Sequence, residues 1–508
     1  MEARKAPATA SIEMSEISVG GLPIVPDLSI GLDTRDEQRV QAIAAEIRGG
    51  EPHIASTEPF GDHVAAGVAQ GPWLVIGDAR EISLAKLDRD ISYQYRLSLL
   101  ARQGDLVALS GAPHAEYDDY RTRVLGLGQT RAILPPAAPA NPLLPLALRC
   151  MEDAATLAAL ADETRRAGAL TIFPHISLGS SWRLAGAIAH ATGCEVRVAG
   201  APPTLTRRAN DKLWFANLVA RVLGSNALPP TLATHGPAVL AHRIRLLARS
   251  AQRVVVKVPD SAGAAGNVAI PAAVVAGAPL EFVRDHVLGL LRAIGWQRTF
   301  PLLVGVWEAP ALSSPSIQMW IPNIEDGLPI IEGIFEQVVE GAAGTFVGSV
   351  PADLPDSWRD RLGYEALILA RLLQACGYLG RCSFDALSVG SSYDRADLHW
   401  IECNGRWGGV SIPMSIVNRV ADKARRPSIV VVQRTDMCFE PTRFSAILES
   451  LGSLAAGVAR TDQGVILLSP DEIERGCGVQ MVAYAATAGE AKAISEQALL
   501  VISTPAAR

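Results

Sequence analysis

The chain has 508 residues, 52 acidic and 46 basic side chains, a net charge of −6, 49 % hydrophobic residues and 19 % charged residues. At roughly 100–200 residues per domain this length gives about three or four domains, with too much apolar material for a disordered chain. The acidic balance excludes a sequence-independent nucleic-acid binder, which needs a basic excess to displace counterions, although it allows a small basic patch for a compact anion.

The N-terminus, MEARKAPATASIEMSEISVGG, lacks the apolar segment of a secretory signal, and no uncharged apolar run reaches about 18 residues, so no membrane span is expected. Seven scattered cysteines without a CxxC pair fit a reducing cytoplasm better than a disulfide framework or a zinc ribbon. Only six of the basic residues are lysine, among them Lys212 and Lys257. Such a bias reads as compositional drift, or it marks places where a compact point charge is needed.

Residues 1–60 read as a polar tail followed by a helix over Asp33–Ile47, with Val40, Ile43 and Ile47 on one face. Residues 61–204 read as an α/β domain. Strands are expected at Trp73–Ile76, Leu106–Leu109, Ala132–Leu134 and Leu170–Phe173, and helices at Gln94–Arg102, Met151–Ala167 and Ser181–Thr192. Alternating strands and helices predict a parallel sheet. The turn Gly77-Asp78 after the first strand is a weak nucleotide-site signal. Ser180 and Ser181 stand before a helix, where a serine is more often an N-cap than an anion ligand.

Residues 205–425 form the next unit. A helix is expected over Asn210–Leu223, then strands at Val254–Val258, Leu302–Trp307, Ile317–Ile321, Ile330–Glu332 and Phe335–Val338, and a long helix over Trp358–Gln374. Arg381–Leu387 and His399–Glu402 could pair as a hairpin. Adjacent strands predict an antiparallel sheet. Residues 426–508 read as a small C-terminal unit with strands at Ile429–Val432, Val465–Leu468 and Val479–Tyr484 and a helix over Ala488–Ile502.

Four segments carry chemistry. In VVVKVPDSAGAAGN, Lys257 ends a strand and a loop of small residues follows. Amides near Ser261, Gly263 and Gly266 can approach phosphate oxygens as an anion nest does. A plain glycine-rich turn with an exposed lysine fits equally well. In CSFDAL and IECNGRWGG, Asp385 lies on one strand, and Glu402 and Asn404 share a face of the next. Three oxygen ligands without His or Cys suit Mg²⁺, which takes its remaining ligands from water and phosphates. Arg406 follows with a cation for developing phosphate charge; the competing arrangement pairs Glu402 with Arg406. In NDKLWF, Asp211 reads as a helix cap, and Lys212, unfavourable against the helix dipole, reads as a ligand contact. In LLVGVWEAP, Trp307 and Glu308 end an apolar strand that either walls a flat aromatic pocket, with Glu308 on a ribose, or simply reaches a turn.

In this order the segments resemble the ATP-grasp superfamily over roughly residues 205–420, with IECNGRWGG matching an E-x-N-x-R-x-G-G signature. The region before them looks like a pre-ATP-grasp domain, and the layout with a small C-terminal domain is similar to peptide ligases of the pheganomycin type. The resemblance implies two α+β subdomains clasping ATP, and an ATP- and Mg²⁺-dependent carboxylate–amine ligase that works through an acyl phosphate in specialised metabolism. It implies Lys212, Lys257 and the loop Ser261–Gly266 on the phosphates, Trp307 and Glu308 at the adenine–ribose hinge, Asp385, Glu402 and Asn404 on Mg²⁺, and Arg406 on the transferring phosphoryl group. It further implies a small carboxylic acid and an amine, an amino acid or peptide, as substrates, and a homodimer. Arg183 and Ser181 are candidates for the cleft wall. An acid–thiol ligase and an ATP-binding protein without chemistry are the alternatives. Two departures stand out: Gly405 where proline is frequent, and Trp307-Glu308 where two acidic residues are frequent.

Overall fold

The structure, a computed structural model, describes residues 17–84, 90–341, 344–422 and 426–503. Part of the expected tail, residues 1–16, lies outside the described residues. The rest of it is not loose: Ile17–Val19 pairs antiparallel with Leu22–Ile24, and Leu22 and Ile24 are buried in the core.

The first α/β layer is a six-stranded, wholly parallel sheet, as the alternation predicts. Its order is Val64–Ala66, Glu195–Val198, Ala169–Pro174, Trp73–Ile76, Leu106–Ala108 and Arg131–Ile133. From Trp73–Ile76 the chain steps outward to one edge, returns to Ala169–Pro174 on the other side, and continues to Glu195–Val198. The direction of winding therefore reverses between Trp73–Ile76 and Ala169–Pro174, which opens a crevice at their C-terminal ends.

One expected helix is divided by an aspartate, and another starts at one. Met151–Ala167 is Leu146–Glu152 followed by Ala154–Ala167. Asp153 sits between them in extended conformation and accepts from the Thr156 N–H at 2.8 Å. The expected helix Asn210–Leu223 is Lys212–Val222, preceded by a separate helix Pro203–Asn210, with Asp211 accepting from the N–H groups of Leu213 and Trp214 at 2.8 and 3.1 Å. In each case the carboxylate that caps the second helix stops the first. The expected helix Gln94–Arg102 lies earlier, at Asp90–Ser98. It cannot run to Arg102, because the Arg102 N–H is taken by Asp105 at 2.7 Å.

A four-stranded antiparallel sheet follows, in the order Asn267–Pro271, Arg253–Lys257, Leu302–Val306 and Thr231–Thr234. The largest sheet has nine antiparallel strands. Ile330–Glu340 is one continuous strand rather than the two expected, with a register shift at Glu332, between the pairs Gln318–Gly333 and Met319–Ile331. The strands Ser428–Arg434, Val479–Ala485 and Gly464–Leu467 extend this same sheet beyond Thr345–Pro351. The helices Asp356–Ala375 and Lys212–Val222 pack behind it, in a core that includes Phe215, Ile317, Leu369, Phe384 and Trp400.

On the opposite face of the large sheet, Arg381 pairs with Glu332, the two side chains being 1 % and 0 % exposed. The guanidinium lies between Trp320 and Trp407, 5.4 and 4.7 Å from their ring centroids. Trp407 donates its N–H to the His175 carbonyl at 3.0 Å, which ties the parallel layer to the large sheet. Removing one partner of a buried pair leaves the other charge uncompensated. Glu332→Ala should therefore lower stability by about 3–5 kcal/mol in urea unfolding, whereas the double replacement Glu332→Leu with Arg381→Met should recover most of that loss. A single variant as stable as the wild type would contradict this reading.

Candidate functional site

The hairpin of Gly380–Val389 and Asp397–Asn404 is the frame of the site. Asp385 stands opposite Glu402, and Ser383 opposite Asn404. The far face is apolar: Phe384 stacks on Phe215 at 5.9 Å and meets Trp400 edge-on at 6.1 Å. Strand alternation then turns Asp385, Glu402 and Asn404 to the same polar side.

Two carboxylate oxygens converge there. Asn404 Nδ2 donates to Asp385 Oδ2 at 3.0 Å and to Glu402 Oε1 at 3.4 Å, and Ser316 Oγ donates to Asp385 Oδ1 at 2.7 Å. Burial first, and the Glu402 charge second, push the Asp385 carboxyl up to about 7, against hydrogen bonds from Ser316 and Gln337 and the charge of Arg406. Burial would also raise Glu402, but Lys212 above all, with Arg406 and Lys257, carries it down to about 2. An amide N–H group thus bridges two half-buried carboxylates where a cation would sit, and turning that amide presents a third oxygen. The donor set fits a hard divalent cation such as Mg²⁺. Among the described residues no group of three or more His, Cys, Asp and Glu side chains forms a metal cluster, which sets aside a zinc-type centre here.

Both sequence-selected lysines reach this centre. Lys212 Nζ lies 2.9 Å from Glu402 Oε2 and donates to the Ser261 carbonyl at 2.6 Å. Lys257 ends its strand opposite Asn267, whose buried Oδ1 has no partner. Burial lowers the Lys257 ammonium, as does Lys212, while Glu402 and Glu308 oppose them. The expected alternative, Glu402 paired directly to Arg406, is replaced by the Lys212 pair. Arg406 instead donates to Asn404 Oδ1 and to Asn210 Oδ1.

The glycine-rich loop folds back on itself. Gly263 has φ +58°, and the Ser261 hydroxyl donates to the Val258 carbonyl at 2.8 Å. A Cβ on Gly266 would lie 2.1 Å from Ser261 Oγ, so only glycine fits there. The expected hinge residues have partners of their own. Glu308 Oε2 lies 2.8 Å from His399 Nδ1, and Trp307 packs under the Arg253 guanidinium at 4.8 Å. Ser181 is buried at the crevice of the parallel sheet, but Arg183 is exposed and does not line it. Ser180 does not cap its helix; its hydroxyl donates to Glu81.

Asn210 escaped the sequence analysis. It accepts from the Gly405 N–H at 3.1 Å, and its own amide donates to the carbonyls of Thr206 and Gly405 at 2.8 and 3.2 Å. It lies 195 residues from Gly405 and carried no local signal. This contact gives Gly405 its physical reason, since proline has no N–H to offer.

Residues 94–190 match the family of the pre ATP-grasp domain. No curated protein matches the chain. Among solved structures the chain is similar to an ADP complex of N5-carboxyaminoimidazole ribonucleotide synthetase, with 11 % identity, 85 % of this chain and 97 % of that one covered, and a TM-score of 0.52. It is similar to a biotin carboxylase–β-γ-ATP complex from Campylobacter jejuni (14 %, 87 % and 92 %, 0.53). It is also similar to the biotin carboxylase domain dimer of 2-oxoglutarate carboxylase from Hydrogenobacter thermophilus with MgADP, ADP and bicarbonate (11 %, 84 % and 89 %, 0.53). The fold is therefore a pre-ATP-grasp α/β domain followed by an ATP-grasp fold.

Gly405→Pro removes the N–H that Asn210 accepts and crowds the Tyr378 hydroxyl, 3.0 Å from where a Cβ would stand. It should cost about 1–3 kcal/mol in chemical unfolding. An unchanged midpoint would show that the Asn210 contact does not hold the loop.

Proposed function

We propose that the chain is an ATP-dependent carboxylate–amine ligase that works through an acyl phosphate. The observation that carries this reading is the convergence of Lys212, Lys257 and Arg406 on the Asp385–Glu402–Asn404 face. Phosphoryl transfer needs little from a protein beyond positioning and charge neutralisation, and this cluster offers cations and oxygen ligands rather than a side-chain nucleophile. The likeness to nucleotide-bound carboxylase and synthetase structures supports the choice of ATP.

In this reading Lys212 and Lys257 hold the ATP phosphates, and the loop around Ser261, Gly263 and Gly266 closes over them. Trp307 and Glu308 flank the nucleotide at the end of Leu302–Val306, with His399 fixing the Glu308 carboxylate. Asp385, Glu402 and Asn404 hold Mg²⁺, which when bound neutralises the phosphate oxygens. Lys212 bridges Glu402 and the Ser261 carbonyl, so it links the ligand set to the loop. A substrate carboxylate oxygen attacks the γ-phosphorus, the bond to the bridging oxygen of ADP breaks, and Arg406 balances the charge that develops. The amine nitrogen then attacks the acyl carbon, loses a proton, and expels phosphate. The resemblance to pheganomycin-type ligases supports an amino acid or peptide as amine and a role in specialised metabolism.

Glu402→Gln removes the charge that faces both Lys212 and the cation. ADP release with a panel of acids and amines should fall by about 10²-fold or more, and Mn²⁺ binding followed by electron paramagnetic resonance should weaken in parallel. Turnover at the wild-type level would sink the metal assignment, and ATP binding without ADP formation across the panel would favour a protein that only binds the nucleotide.

A further inference from the structure

Arg96 belongs to the helix Asp90–Ser98 of the first domain, is 2 % exposed, and reaches into the other units. Its Nη1 donates to Gln480 Oε1 at 2.9 Å and to Gln433 Oε1 at 3.0 Å, a directly opposed pair on two C-terminal strands of the large sheet. Its Nη2 donates to the Gly409 carbonyl at 3.2 Å, in the turn that follows Arg406. One buried side chain therefore ties the first domain, the last strands and the end of the IECNGRWGG segment.

Every acceptor it meets is neutral. Among the described residues Arg96 forms no ion pair, and its Nε has no partner. Glu472 is reached only through Gln480, whose amide donates to Glu472 Oε1, and Glu472 Oε2 is itself without a partner. A buried cation without a direct counter-charge is costly, and for joining domains alone a well-packed apolar side chain serves as well or better. What an arginine adds is a planar fork of N–H donors. Two strand amides that fix one arm of the fork also aim the other arm at Gly409.

The same turn is gripped at a second point. The Trp407 N–H donates to the His175 carbonyl at 3.0 Å. The Tyr93 ring, on the helix of Arg96, lies 5.4 Å from the His175 ring and 6.0 Å from the Arg96 guanidinium, so both grips come from one patch of the first domain. The turn also has little room to shift: a Cβ on Gly409 would stand 3.0 Å from the Phe346 ring and 3.7 Å from Gln433 Oε1. Two fixed backbone points directly after Arg406 limit where its guanidinium can go.

We propose that Arg96 is a positioning residue for phosphoryl transfer: by holding the Gly409 carbonyl it keeps the turn after Arg406 in one place, and so keeps Arg406 on the transferring group. The inference rests on the ligase reading above and extends it to a first-domain residue that, in that reading, touches neither the nucleotide nor the cation.

The test compares full-length Arg96→Met, Arg96→Lys and Tyr120→Phe with the wild type, using MgATP and a panel of carboxylic acids and amines. Tyr120 joins the first domain to the C-terminal strands elsewhere, its hydroxyl accepting from the Leu467 N–H at 3.0 Å. Arg96→Met should lower kcat for ADP release about tenfold or more and leave KM for ATP within about twofold. Arg96→Lys, which keeps the charge without the fork, should recover part of that loss, and it carries the comparison with the wild type if the methionine variant does not fold. In hydrogen–deuterium exchange the amides of residues 404–414 should exchange about tenfold faster in Arg96→Met. Tyr120→Phe should lower the urea midpoint and leave both readouts at wild-type values. Wild-type kcat in Arg96→Met, or an equal loss of kcat in Tyr120→Phe, overturns the inference. A wild-type chain that releases no ADP overturns the ligase reading instead, and unchanged exchange in Arg96→Met overturns the hold on Gly409 in either case.

Discussion

Glu402 lies on a strand packed with Trp400 and Cys403 on its far side, and its carboxylate stays ionised because the Lys212 ammonium stands 2.9 Å away. That one pair constrains three elements. Lys212 is the first residue of its helix, Glu402 belongs to the hairpin of the large sheet, and the same ammonium holds the Ser261 carbonyl of the glycine-rich loop. Taking two charges out of water costs several kcal/mol per ion unless good geometry and further hydrogen bonds compensate. Here the compensation is spread over Lys257, Arg406 and Asn404. Asp385 shows what happens without a cation of its own: its carboxyl is pushed up to about 7. The cluster is thus arranged for a charged ligand that would redistribute these pairings.

A second set of contacts fixes the arginine end. Asn210 closes one helix and accepts from both Gly405 and Arg406. Trp407 binds the His175 carbonyl and lies against the buried Arg381 guanidinium. The signature segment is therefore clamped by the parallel layer, by the large sheet and by the helix Pro203–Asn210. The Trp407–His175 bond thus joins the parallel layer of the first domain to the strand end that carries the charge cluster.

The sequence made the local parts of this legible. Trp73–Ile76 is a strand with the expected bounds, because four apolar residues between turn signals have few other uses. The sharing of one face by Glu402 and Asn404 follows from a period of two, and the cap role of Asp211 from its place before a helix. What could not be read depends on chain separation. Glu308 is held by His399, 91 residues away, which its neighbours in sequence do not announce. Asn210 looks like an ordinary helical residue until Gly405 is brought beside it. The helix break at Asp153 was hidden because apolar spacing continues across it, and only the bonded carboxylate shows that a new helix begins. The three C-terminal strands were recognised individually, but their membership of the large sheet is a matter of which edge they meet.

The lysines sharpen the same lesson. Among the described residues, Lys212 and Lys257 are the lysines whose charges bear on Glu402. A spherical ammonium fits between a carboxylate and a carbonyl in a way that a flat guanidinium does not. The central claim is that this cluster neutralises the phosphates of ATP through a cation held by Asp385, Glu402 and Asn404. The most direct measurement is an anomalous difference map from crystals grown with Mn²⁺ and a non-hydrolysable ATP analogue. The account predicts a manganese peak bonded to Asp385 and Glu402, with phosphate oxygens between it and the ammonium groups of Lys212 and Lys257. Nucleotide bound elsewhere, or manganese absent from those carboxylates while the analogue is present, would contradict it.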